Sequence, residues 1–221
     1  MKSIRRTWGL LLLSAALLAT TARATGADST EHSYYMMVFA TQSEPNRAKF
    51  SHTFASFVKV ARPESTPDQP RLQVHTISWL PATLDVVVLN REPEAGVNLD
   101  LDSTLRWAMK RNERIIMWGP YKITPGLYDR AVAQEARLRS NTVLYKAVDR
   151  DLRPRTASNC IHAVSDISPE DGLLHVGTNR GQEASQSVVN HLRQWIINPE
   201  KTHVWLIDRM ELRSYPIELR E

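Results

Sequence analysis

The chain has one cysteine, Cys160, in 221 residues. A single thiol closes no disulfide within one chain, so a cysteine-stapled scaffold is excluded. Cys160 is then an inert buried side chain, a reactive group or a link to another molecule. No Cys-x-x-Cys pair, His-Glu-x-x-His sequence or glycine-rich phosphate loop occurs, so the short signatures of redox, zinc-protease and nucleotide-binding proteins are missing. Beyond the N-terminus no segment is apolar enough to span a membrane. There is no internal repeat, low-complexity tract or domain linker.

The N-terminus is built differently. Lys2, Arg5 and Arg6 are basic, Trp8 to Leu18 is a short apolar run, and Ala22-Arg23-Ala24 is a small-x-small cleavage site. The run is shorter than the ~20 apolar residues of a spanning helix. Residues 1–24 therefore read as a signal peptide, with the working chain, 25–221, exported to the periplasm or the extracellular space. No cysteine follows Ala24 to carry a lipid anchor. The whole chain has 28 Lys and Arg against 24 Asp and Glu, and removing Lys2, Arg5, Arg6 and Arg23 leaves 24 against 24. A balanced charge lacks the basic footprint of a nucleic-acid binder. The remaining length suits a single domain with one core.

Strand-type runs are expected at Tyr34–Ala40, Phe50–Val60, Leu72–Trp79, Leu84–Leu89, Arg114–Trp118, Thr142–Val148, Leu173–Val176 and His203–Ile217. In Phe50–Val60, alternation puts Phe50, His52, Phe54, Ser56, Val58 and Val60 on one face. Three helices are expected. Asp102 caps one that ends at Lys110-Arg111. Thr124-Pro125 opens a second, which runs to Arg139. Ala184, Val188, Leu192, Trp195 and Ile196 stripe a third, closed by Pro199. Many strands and few helices predict an α+β fold with a mainly antiparallel sheet.

The chemistry centres on Ala157-Ser158-Asn159-Cys160-Ile161-His162. Ser158 suits a helix N-cap, which puts Cys160 in the first turn of a short helix. Unpaired N–H groups there favour a thiolate, and burial in an apolar core would act the other way. His162 is two residues on and does not share a helix face with Cys160; it reads as a structural histidine behind the helix. An imidazole for Cys160 has to come from another element, and His52 and His75 are the strand histidines. His32, His175, His191 and His203 read as structural or surface groups. Asp149, Asp151 and Asp166 read as solvated turn acids, and Trp118-Gly119-Pro120-Tyr121 as a turn.

Asn159-Cys160-Ile161-His162 resembles the Asn-Cys-x-His segment of the permuted papain-like fold, whose members include lecithin:retinol acyltransferase-like enzymes and related bacterial proteins. That family places a histidine on one strand, a second polar residue on the next and the cysteine at a helix start. His52, His75 and Cys160 follow the same order. The resemblance implies a circularly permuted papain-like domain with Cys160 as nucleophile, His52 as general base and His75 orienting it. The Cys160 N–H would form part of an oxyanion hole. The implied activity is hydrolysis or acyl transfer on an amide or ester, a cell-wall peptide or a lipid, through a thioester and without a cofactor. Three features depart from the family: a longer, proline-rich loop between the histidine strands, Ile161 where those enzymes often have an acid, and no membrane-inserting segment after the cysteine. A non-catalytic binding protein on the same fold, and a zinc site from His52, His75 and Cys160, are the alternative readings.

Overall fold

The computed structural model describes residues 30–66, 68–149, 156–178 and 180–220. The expected signal peptide and its cleavage site, and Asp151, lie outside the described residues. No helix among the described residues is long and apolar enough to cross a membrane.

The fold is mixed α+β with two sheets. β1 (Thr30–Gln42) is central, pairing antiparallel with β2 (Ser51–Pro63) on one side and β6 (Arg114–Ile123) on the other. Its middle, Tyr35 to Ala40, is buried on both faces. A continuous apolar run suits a strand covered on both sides, where alternation is not needed. β3 (Arg71–Ile77) extends the sheet beyond β2, and β9 (Ile217–Arg220) adds a parallel strand beyond β6.

Residues directly opposite each other in a strand pair share a face. The β1–β2 register therefore groups Tyr35, Phe39 and Thr41 with Val58, Phe54 and His52. Phe39 and Phe54 stack there with centroids 4.6 Å apart. This face is covered by α1 (Leu101–Lys110), through Trp107 on His52, and by α5 (Trp205–Arg209), through Trp205 on Tyr35. The opposite face groups Tyr34, Met36 and Ala40 with Lys59, Phe57 and Thr53. Against it lie α2 (Pro125–Arg139), through Tyr128 on Tyr34, and α4 (Gly181–His191), through Ser185 on Thr53. The short α3 (Cys160–Ser165) packs between these two helices; Gln134 of α2 donates to the Ala163 carbonyl at 2.9 Å.

The second sheet has four short strands, β4 (Trp79–Pro81), β5 (Glu94–Asn98), β7 (Leu144–Tyr145) and β8 (Ala157–Ser158), in the order β4-β5-β7-β8. β3 and β4 are separated only by Ser78, where the chain leaves the large sheet. β2 consequently has no β3 partner before Ala55, and α3 docks against that stretch of β2.

Several expectations need correction. Leu84–Leu89 is a loop: Leu84 has φ 58°, and Leu89 is almost fully exposed. Leu173–Val176 is neither helix nor strand. Most of His203–Ile217 is α5 and a 3-10 turn rather than a strand. The third helix ends at His191, and a 3-10 turn carries the stripe on to Trp195. Asp100, not Asp102, caps α1, accepting from the Ser103 N–H at 2.7 Å. Trp118 to Tyr121 lies inside β6.

Candidate functional site

Asn159, rather than Ser158, caps α3: its Oδ1 accepts from the His162 N–H at 2.8 Å. Cys160 thus opens the helix, as the sequence predicts. It lines a cavity of about 160 Å3 together with Ser51, His52 and Thr53 of β2, Tyr145 of β7 and Gly181 of α4. Gly181 allows α4 to approach this closely, since a Cβ there would stand 2.4 Å from the Thr41 carbonyl oxygen.

Cys160 is half-buried as a residue, and burial is the leading influence on its thiol. The N–H groups of Thr53, Cys160 and Ile161 bond to the sulfur and favour the thiolate, but burial outweighs them, with help from the Asp149 charge. The thiol is pushed up to about 11. The helix-start expectation of a depressed thiol is therefore overturned: desolvation of the charged form exceeds what three N–H dipoles return.

His52 is almost fully buried, stacked on Phe54 at 5.5 Å and edge-on to Trp107 at 5.7 Å. Its Nε2 and the Ser78 hydroxyl are hydrogen-bonded at 3.0 Å. Its Nδ1 is buried and has no hydrogen-bond partner among the described residues. Burial, and secondarily the Arg111 charge, lower its pKa to about 3. Arg111 is fixed over the Phe50 and Trp107 rings, 4.7 Å from each centroid, and pairs with the buried Glu113 at 2.8 Å. His52 and Cys160 border one cavity, with no hydrogen bond between them among the described residues.

His75 is not brought to His52. It stands opposite Phe57 and so faces α2. Its Nδ1 meets Glu135 at 2.6 Å and its Nε2 meets Gln73 at 3.0 Å. The place beside His52 that the resemblance implies for His75 is filled by Ser78. His75 is equally withdrawn from any shared zinc site with His52 and Cys160.

His162 does lie behind the helix, but its surroundings are polar. Asp149 is a buried acid rather than a solvated one. Its carboxylate accepts from the Asn159 backbone N–H at 3.0 Å, from Asn159 Nδ2 at 2.7 Å and from His162 Nδ1 at 2.7 Å. His162 Nε2 reaches the Leu174 carbonyl oxygen at 2.9 Å. Ser78 and Asp149 are the site residues that sequence reasoning missed. The available signal for Ser78 was a hydroxyl at the end of the His75 strand, on the face opposite His75.

No family model, curated protein or solved structure matches the chain significantly.

Proposed function

We propose that the protein is an exported cysteine-dependent hydrolase or acyl-transfer enzyme of permuted papain-like type, acting on an amide or ester. The observation that supports this reading is that Cys160 opens α3 in a cavity that His52 also borders, with the His52 ring held by Ser78. A nucleophile near a base that a third group orients is the arrangement nucleophilic catalysis needs. Cys160 Sγ attacks the carbonyl carbon and forms the S–C bond, while its proton passes to His52 Nδ1. That proton then goes to the departing amine or alcohol as the C–N or C–O bond breaks. Water or an acceptor hydroxyl takes the acyl group from the thioester, returning the proton to sulfur. Ser78 is a positioning residue in this scheme.

A non-catalytic binding protein is the second reading, and one observation favours it. His52 lies on the sheet face covered by α1, whereas α3 packs between α2 and α4 on the opposite face, and burial disfavours both the thiolate and the imidazolium. Catalysis therefore requires that substrate binding bring the two side chains within reach of one another.

The two readings part on acylation by a 4-nitrophenyl ester, followed by intact-mass analysis. The enzyme reading expects an acyl adduct on Cys160 that forms faster than on the unfolded chain. Cys160→Ala should abolish it and His52→Ala should slow it by about 10²-fold or more. Acylation no faster than in the unfolded chain, or unaffected by His52→Ala, overturns the enzyme reading in favour of binding.

A further inference from the structure

His162 has hydrogen-bond acceptors on both ring nitrogens: the Asp149 carboxylate at 2.7 and 2.8 Å from Nδ1, and the Leu174 carbonyl oxygen at 2.9 Å from Nε2. A neutral imidazole has one N–H and can serve only one acceptor, whereas an imidazolium serves both. The two acceptors belong to the two sides of a groove of about 950 Å3. Residues 147–149 form one wall and 173–178 the other, with Asn159 and Ile161 between them. This groove runs into the Cys160 cavity: Val148, Asn159, Ile161, Thr178 and Arg180 line both.

The wall 173–178 is neither helix nor strand. Among the described residues, the His162–Leu174 bond is the one hydrogen bond that holds its backbone from 173 to 177. The other wall is held by three bonds to Asp149, from Asn159 and His162. One ring therefore ties the loose wall to the fixed one.

We propose that imidazolium His162 is a latch that holds residues 173–178 along the groove to Cys160, and that its deprotonation releases them. The latch is a regulatory element of the site proposed above and rests on that reading for its purpose, though not for its chemistry. The groups that face His162 are Asp149 from the loop after β7, Asp166 from its own helix and the Leu174 carbonyl; His175, Arg180 and Glu183 line the same groove. Burial opposes the charge on His162, and the Asp149 hydrogen bond and charge, the Leu174 carbonyl and Asp166 outweigh it, so the pKa is raised. The latch is thus fully closed below the ordinary histidine value of about 6.5 and opens as pH rises through the raised one. The carboxylate keeps the remaining proton, since a charge-assisted bond is the stronger of the two. Nε2 is the atom that loses its proton, and the Leu174 carbonyl loses its donor.

The test is a pH titration of the exported protein by 15N NMR, following the His162 ring nitrogens and the backbone amides of Leu174 and His175 together. The expected result is both ring nitrogens protonated at pH 6, Nε2 deprotonating above the ordinary value, and the two amides shifting with the same midpoint. A neutral ring at pH 6, or amides that do not follow the ring, overturns the latch. Asp149→Asn should lower the midpoint and release the amides at neutral pH; if that variant does not fold, the wild-type titration decides. Cys160→Ala should keep the coupled titration. Absent ester acylation with the titration intact overturns the enzyme reading alone, and active acylation without the titration overturns the latch alone.

Discussion

Two histidines stand within reach of one cavity system and are driven in opposite directions. His52 projects from the central sheet into a face of aromatic rings, with a hydroxyl as its partner and a guanidinium nearby, and it is held neutral. His162 projects from a one-and-a-half-turn helix into a loop region, with a carboxylate and a carbonyl as partners, and its charged form is favoured. Burial opposes charge at both. The difference is made by what replaces water: Ser78 can satisfy a neutral ring, whereas Asp149 can compensate a cation. A ring held neutral leaves one nitrogen unpartnered, whereas a ring favoured as the cation engages both nitrogens and suits a tie.

The contrast is broken or sharpened most strongly by pH. The folded pKa of His52, about 3, lies below that of the unfolded chain. Between those values the unfolded state binds the extra proton, so stability is lost as pH falls below about 6.5. His162 has the opposite sign: its stabilisation is complete below about 6.5 and is lost as pH rises through its raised folded value. Urea unfolding at pH 7 and pH 4 should show wild type losing about 3 kcal/mol more than His52→Gln over that interval. A difference below about 1 kcal/mol would mean that His52 takes up its proton within the fold, and the contrast between the two rings would fail.

Asp149→Ala strikes the other side of the comparison. It removes the acceptor for Asn159 and His162 at once, and without the carboxylate the half-buried His162 gives up its proton more readily. Losing these charge-assisted hydrogen bonds costs about 2 kcal/mol, read as a lower urea midpoint at pH 6. The loss should shrink above the His162 pKa, where the ring no longer carries charge. An equal loss at every pH would make Asp149 a cap for α3 and nothing more.

The two regions also differ in how legible they were. β1, α2 and the start of α3 followed from local signals: an apolar run, Thr124-Pro125, and a capping residue before Cys160. His52 could be placed on a strand face because alternation is local. Ser78 and Asp149 could not be placed, since one depends on where β3 leaves the sheet and the other on how a loop folds back onto α3. The same holds for the misread elements. Leu84 to Leu89 has strand-type composition but no partner strand among the described residues, and within His203–Ile217 the β-type stretch Val204 to Ile207 forms a helical turn under the Tyr35 face. Composition reports what a segment could pair with, and tertiary context decides whether a partner is there.

The smallest effect separates Ser78 from His75 as the residue that orients His52. His75 lies on the α2 face, edge-on to Tyr128 at 5.7 Å and bonded to Glu135 at 2.6 Å. Removing it does not strand Glu135, because Arg139 Nε still holds the other carboxylate oxygen at 3.0 Å. His75→Ala should therefore cost about 1 kcal/mol, the worth of one hydrogen bond with its remaining partner satisfied. Ester acylation of Cys160 should be unchanged, since the His75 ring faces away from His52 across the sheet. Ser78→Ala should slow that acylation, because the His52 ring loses the bond that fixes its orientation and tautomer. Stability measured beside acylation keeps the two apart: a folding defect lowers the urea midpoint, while a positioning defect slows acylation at full fold. If His75→Ala slows acylation as much as Ser78→Ala does, the orienting role returns to His75 despite its place on the other face.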